Sequence, residues 1–225
     1  MQQLARRPSR SLFLVGWLGV MGLTAVSDRA VGLVLPDGVE SPSVVRVEED
    51  WRLVLNEPDD DTDSPQFHTV MSPTDDAEEL FAQVLWNYRE TPDFVSGGVQ
   101  LQCYDGETLM RYRTMEYGRL STEAETITWT QSLVVDGLSL TFEVSHGQST
   151  TWGAFGREMR ISSVTDLGTL NSYDPEVSAE NSCVTYGSNR VDELVITQVR
   201  YYGVDDSLLY VDAAPRMVYM FGDDE

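Results

Sequence analysis

The chain is poor in positive charge. It contains no lysine, and its 15 arginines stand against 37 acidic residues, so the formal net charge is −22. Non-specific binding to nucleic acid needs cationic side chains that displace counterions from phosphates, and attraction to anionic membrane surfaces needs them as well. The composition therefore rules out the first function and argues against the second. A well-solvated surface or the uptake of divalent cations fits the negative charge better.

The side chains that most often carry catalysis or bind transition metals are also scarce. The two cysteines, Cys103 and Cys183, lack Cys-x-x-Cys spacing, which argues against a structural zinc site. The two histidines, His68 and His146, are far apart in sequence, and the chain has no Gly-x-Ser-x-Gly motif. We therefore favour strand-end histidines bonded to neighbouring backbone over members of a catalytic triad.

The two cysteines have a second possible use, as a disulfide. In an exported protein two cysteines commonly pair. A bridge between Cys103 and Cys183 would close a loop of about 80 residues and stabilise the fold by about 4 kcal/mol in the chain-entropy description. We predict this bridge, with a free buried cysteine as the alternative.

Apolar runs are absent except near the N-terminus. The first ten residues contain three arginines and no acid, and residues 12–26 are apolar or small throughout. This order is typical of a secretory signal, whereas a membrane span needs roughly 20 apolar residues. We predict a signal peptide over residues 1–30, with a retained anchor as the alternative, and an exported protein that is extracellular, periplasmic or on the cell surface. Without these residues, which hold four arginines and one acid, the formal charge is −25.

Helix patterns are scarce, and strand patterns recur along the rest of the chain. Residues 31–43 contain two prolines and little periodicity, which predicts a flexible lead-in. The Asp136-Gly137 dipeptide between two alternating runs predicts a hairpin, and the acids near 75–79 predict one helical turn. We predict that residues 44–225 form a single all-β domain, an antiparallel two-sheet jelly-roll sandwich. The main predicted strands cover residues 45–55, 67–71, 80–89, 99–104, 126–135, 138–146, 158–162, 191–202, 208–211 and 217–220.

The second half of the chain resembles a known family. The segment from Tyr186 to Tyr202 begins with a glycine-led turn, continues through an acidic residue and alternates up to its final Arg-Tyr-Tyr. It is similar to the closing strand of laminin-G-like and other concanavalin A-like jelly-roll domains, and the Asp136-Gly137 hairpin with Trp129 upstream is similar to their central hairpin. The resemblance covers residues 126–202. It implies a two-sheet sandwich whose concave face or loop rim often binds carbohydrate.

A possible binding face lies on three consecutive strands. Alternation places Val99, Leu101 and Cys103 in the core, so their neighbours on the strand should point outward. Amide, guanidinium and aromatic side chains together are typical of a sugar site, because rings stack on pyranose faces while amides bond hydroxyls. The alternative is that the aromatic members belong to the core. The predicted ligand-binding residues are Trp86, Tyr88, Gln100, Gln102, Tyr104, Arg111 and Arg113.

Carboxylates offer weaker candidates for chemistry. Asp59, Asp61 and Asp63 stand at alternate positions and could give calcium three oxygen ligands, although a solvated acidic turn is the simpler explanation. A glycosidase needs two carboxylates about 5–10 Å apart. The pairs 123/125 and 176/180 have suitable spacing but lie in a strand edge and a proline-bearing loop, without the expected aromatic surroundings.

These observations support three functional hypotheses. The first is an exported, non-enzymatic module that binds carbohydrate or another extracellular ligand, with or without help from calcium. The second is a structural protein of the cell envelope whose acidic surface interacts with divalent ions. The third is a glycan-active hydrolase or lyase. No catalytic residue is predicted.

Overall fold

The protein is an antiparallel two-sheet β-sandwich, which confirms the predicted fold class. A computed structural model describes residues 42–56, 64–88, 97–120 and 124–221. The predicted signal segment, residues 1–30, and most of the lead-in lie outside these residues. Among them, no helix is long and apolar enough to cross a membrane.

Thirteen strands and two short helices make up the described part of the chain. In chain order they are β1 Val44–Leu55, β2 Gln66–Met71, β3 Leu80–Trp86, β4 Val99–Asp105, β5 Thr108–Met115, β6 Thr126–Asp136, β7 Ser139–Ser149, β8 Gly153–Phe155, β9 Met159–Val164, α1 Pro175–Asn181, β10 Cys183–Tyr186, a 3₁₀ turn Ser188–Arg190, β11 Val191–Gly203, β12 Leu208–Asp212 and β13 Arg216–Met220.

One sheet has eight strands and the other has five. The larger sheet runs β12-β11-β1-β6-β7-β8, with β13 also paired to β11 and β9 to β7. The smaller sheet runs β10-β2-β3-β4-β5, so β5 is one of its edges and β10 the other. All the strand pairs in both sheets are antiparallel.

The sequence period of two creates the two faces of the central strand β1. Val47, Glu49, Trp51 and Leu53 are buried on the inner side, whereas Glu48, Asp50 and Arg52 are half-buried on the outer side. The outer side holds an ion-pair network in which Arg200 bonds both Glu48 and Asp50 across the β1–β11 pair. This arrangement keeps one face of the strand for the core and the other for solvent.

An aromatic cluster joins the two sheets across the core. Trp51 and Trp129 stack within the larger sheet at a centroid distance of 5.9 Å. Trp86 and Phe67, from the smaller sheet, stack at 5.6 Å, and Trp86 meets Trp129 at 4.3 Å. Aromatic side chains bury the largest areas of any residue type, so this cluster is the main apolar contact between the sheets.

The hairpin between β6 and β7 forms at the predicted place. Asp136 pairs with Ser139, which makes Gly137 and Leu138 the two loop residues. Gly137 has φ of 59°. A two-residue hairpin turn with a positive φ at its first loop position favours glycine there. Asp136 is therefore the last residue of β6, and the turn begins at Gly137.

The predicted helical turn near residues 75–79 is wrong, and the helix lies elsewhere. Ser72 Oγ donates to the carbonyl of Asp76, and the Asp76 carboxylate accepts from the amide of Glu78. These side chains bond the backbone in a turn and compete with helix formation. Helix α1 begins instead after Asp174, whose side chain accepts from the amide of Glu176 and which precedes a proline at the first helical position.

Candidate ligand-binding face

Strand β4 presents the predicted alternation. Val99, Leu101 and Cys103 are fully buried in the core. Gln100, Gln102 and Tyr104 point to the opposite face of the five-stranded sheet, where neighbouring side chains leave Gln102 only 8% exposed. The facing of these residues follows from the strand period alone, as expected.

The outward side chains of β4 are joined in a row by hydrogen bonds. Tyr104 Oη donates to Gln102 Oε1 at 2.8 Å, and Gln102 Nε2 donates to Gln100 Oε1 at 2.5 Å. Gln100 Nε2 in turn donates to Thr114 Oγ1 on β5 at 2.8 Å. Each amide has two N–H donors and two lone pairs on its oxygen, so each keeps bonding capacity beyond these contacts.

An aromatic pair lies at one end of this row. Phe81 of β3 stacks on Tyr104 with ring centroids 5.0 Å apart and planes within 8°. Burial raises the pKa of Tyr104 above its ordinary value, and the nearby phenol of Tyr88 raises it further. The amide N–H of Tyr88 donates to the carbonyl of Gly98, so the backbone of this predicted residue lies near the start of β4, at the end of the strand away from Tyr104.

Tyr112 of β5 belongs to the same face and was not predicted. It lies directly opposite Gln102 in the β4–β5 pairing, and 64% of its surface is exposed. Its position between Arg111 and Arg113 could have identified it from the sequence, because consecutive residues of a strand face opposite sides of the sheet. We call the outward surface formed by Gln100, Gln102, Tyr104 and Tyr112 the amide–tyrosine face.

Three predicted ligand residues are not on this face. Arg111 and Arg113 lie opposite Cys103 and Leu101, so they point to the other side of β5. Trp86 is 1% exposed and packs inside the aromatic cluster, where its Nε1 donates to Thr69 Oγ1 at 2.8 Å. The alternative assignment of Trp86 to the core is therefore the right one. Gln100, Gln102 and Tyr104 do share one face of the sheet.

The predicted disulfide between Cys103 and Cys183 is wrong, because both cysteines are free. Cys183 on β10 pairs with His68 on β2, whereas Cys103 lies three strands away on β4. Neighbouring strands are about 4.8 Å apart, so the separation far exceeds the roughly 7 Å limit for a bridge between Cα atoms. The two side chains also face opposite sides of the sheet.

We expect the thiols to behave as two independent groups. A thiol reagent should modify only Cys183 in the folded protein, because Cys103 is fully buried, and both cysteines after unfolding. Adding a reductant should leave the melting temperature unchanged, since no bridge contributes to it. Mass spectrometry of labelled protein and a thermal melt with and without reductant make the two measurements. A reductant-dependent drop of several degrees would contradict the structure.

The predicted calcium ligands Asp59, Asp61 and Asp63 lie outside the described residues. Within the described residues, no group of three or more histidine, cysteine, aspartate or glutamate side chains is placed to hold a metal ion. Of the paired carboxylates, Glu125 is buried and accepts four hydrogen bonds from the β7–β8 connection, from Ser149, Thr150 and Thr151. Glu176 forms an ion pair with Arg216 at 2.7 Å. Both have structural partners.

A second polar cluster lies in the interior, where α1 packs against the larger sheet. Glu49 is fully buried and accepts from Tyr173 Oη at 2.5 Å and from Trp51 Nε1 at 3.0 Å. Burial raises its pKa to about 7, although hydrogen bonds from Tyr173, Ser178 and Trp51 and the charge of Arg216 act in the opposite direction. Glu49 was not predicted as an inward residue, although it has the same strand parity as the buried Trp51 and Leu53.

No family model matches the chain, and no curated protein shows significant sequence similarity to it. The assignment of function therefore depends on the chemistry of the surfaces described above.

Proposed function

We propose that the chain is an exported, non-enzymatic binding protein that holds carbohydrate on its amide–tyrosine face. One observation carries the proposal: three outward side chains of β4 are hydrogen-bonded in a row next to an exposed tyrosine. Export is proposed from the basic and apolar N-terminal pattern. The likeness of residues 126–202 to jelly-roll domains supports the same class of ligand.

The chemistry of the face suits sugar hydroxyls. Amide and phenol groups can donate and accept at once, as a hydroxyl does, so neighbouring hydroxyls of one sugar could bond to the face in pairs. Tyr112 and the stacked Phe81–Tyr104 pair supply flat apolar surfaces on which pyranose rings can lie. The face is built on adjacent strands, and its side chains are held by one another, so little conformational freedom would be lost on binding.

The form of the face indicates an extended ligand. The outward residues lie along two adjacent strands of a sheet rather than around a pocket. A strand rises about 3.4 Å per residue, so the distance from Gln100 to Tyr104 is about 13 Å, comparable with two or three linked sugar rings. We therefore propose an oligosaccharide or polysaccharide chain as the ligand rather than a monosaccharide.

The proposal predicts a specific loss on substitution. The full chain should bind one or more glycans on an array, and Tyr112→Ala should weaken that binding about tenfold or more when measured by calorimetry, about 1.4 kcal/mol. Gln102→Ala should have a similar effect, since it interrupts the hydrogen-bonded row. Tyr112 is largely exposed, so its removal should change stability little.

A matched control separates this face from the rest of the surface. Tyr210→Ala removes a partly exposed tyrosine from β12 of the other sheet and should leave binding unchanged. Absence of binding to any glycan, or equal binding by the parent chain and the Tyr112 and Gln102 variants, would reject the proposal. Repeating the titration with a chelator tests the calcium contribution proposed for Asp59, Asp61 and Asp63.

A further inference from the structure

The exposed end of the β2–β10 pair brings two metal-binding side chains together. Cys183 and His68 are direct cross-strand partners on the outer side of the five-stranded sheet. Cys183 Sγ lies 3.8 Å from Nδ1 and 3.7 Å from Nε2 of the imidazole. Sulfur and imidazole nitrogen are the ligands preferred by zinc and related borderline-soft cations.

A backbone contact fixes the histidine in the form that can bind a metal. His68 Nε2 lies 3.2 Å from the carbonyl oxygen of Asn181, at the end of α1. A carbonyl oxygen only accepts, so Nε2 carries the proton and Nδ1 keeps its lone pair. Metal-ligating histidines show this same pattern, in which the other ring nitrogen donates to a carbonyl that orients the ring.

The separation of the two ligand atoms fits coordination of one ion. With Zn–S of about 2.3 Å and Zn–N of about 2.0–2.1 Å at a tetrahedral angle, sulfur and nitrogen are about 3.6 Å apart. The observed 3.8 Å to Nδ1 is close to that value. Sγ is nearly equidistant from both nitrogens and so does not lie along the Nδ1 lone pair. Loading therefore requires a rotation of the exposed Cys183 side chain.

From this geometry we propose that Cys183 and His68 form a surface site for a zinc-like divalent cation, with water completing the coordination. Binding forms one metal–sulfur and one metal–nitrogen bond, and the thiol proton passes to solvent. The negative charge of the chain favours any cation at its surface. The site is independent of the amide–tyrosine face, since it lies on the two strands at the opposite edge of the sheet.

The test is a titration of the reduced, metal-free full chain with Cd²⁺, followed by ultraviolet absorption. We expect a cadmium–thiolate band that saturates at one ion per chain, with release of about one proton measured by calorimetry in two buffers. Cys183→Ser should abolish the band although Cys103 is still present. His68→Gln should weaken the apparent affinity at least about tenfold.

Controls keep the result interpretable. His146→Gln removes the other histidine, whose Nδ1 lies near Ser145 rather than a cysteine, and should leave the titration unchanged. Circular dichroism melts of each metal-free variant establish that it folds. No band in the parent chain, a band that survives Cys183→Ser, or an affinity indifferent to His68→Gln would each overturn the proposal.

Discussion

Replacing Trp86 with alanine should lower the free energy of unfolding by about 3–5 kcal/mol. Trp86 is 1% exposed and contacts Phe67, Trp129 and Phe155 with ring centroids 4.3–5.9 Å apart. The substitution would leave a large cavity between the two sheets and would also remove the hydrogen bond to Thr69. Equilibrium unfolding in urea gives the change directly.

Trp86→Phe is the matched control for this prediction. It keeps an aromatic ring in the cluster and removes only the indole N–H and part of the volume, so it should cost clearly less than the alanine variant. The comparison also tests the assignment of Trp86 to the core rather than to a ligand site. A variant that unfolds like the parent chain but loses glycan binding would reverse that assignment.

Ionisation of Glu49 should lower the free energy of unfolding by about 3 kcal/mol as the pH rises from about 4.5 to about 7. Glu49 has a pKa of about 7 in the folded protein against an ordinary value of 4.5. Between these values the native state keeps the proton that the unfolded state has lost, so each pH unit weakens folding by about 1.4 kcal/mol. Below about pH 4.5 Glu49 is protonated in both states and does not weaken folding. Above about pH 7 it is ionised in both states, and the free energy of unfolding falls no further on its account.

Glu49→Gln should remove this part of the pH dependence. The neutral amide cannot ionise, so unfolding free energies of the variant should change about 3 kcal/mol less than those of the parent chain between pH 4.5 and pH 8. Tyr173→Phe removes a hydrogen bond that lowers the pKa of Glu49, and should shift the loss to higher pH. Identical pH profiles for the parent chain and Glu49→Gln would show that Glu49 is not the titrating group.

Most strands could be predicted because one face of each is buried and the other is not. β1 and β7 show this alternation over 12 and 11 residues, which is enough to define both the strand and its facing. β8 and β10 have only three and four residues, and β10 contains no fully buried side chain. Their sequences therefore show no alternation of apolar and polar residues from which a strand could be predicted. Helix α1 was missed because its proline suggested a loop, although a proline in the first turn is also typical of a helix start.

The candidate site was predicted in part, for a different reason. The facing of Gln100, Gln102 and Tyr104 depends only on their own strand. The facing of Arg111 and Arg113 depends on how β5 pairs with β4, and a one-residue change of register moves a side chain to the other face. The disulfide prediction was wrong because it depended on the number of cysteines and the expected export. Neither of these indicates that β2 and β3 separate the strands that carry Cys103 and Cys183.

The pairing of β1 with β11 has a consequence for how this protein reaches its native state. Val44 meets Gly203 across the sheet, so the central strand of the larger sheet gains its most extensive neighbour only after strands β2 to β10 have been made. Closing such distant contacts costs loop entropy before any packing compensates for it, which slows folding. Refolding from denaturant should therefore be slow for a domain of this size, and a newly made β1 has an unpaired edge until β11 arrives, a period during which aggregation competes with folding.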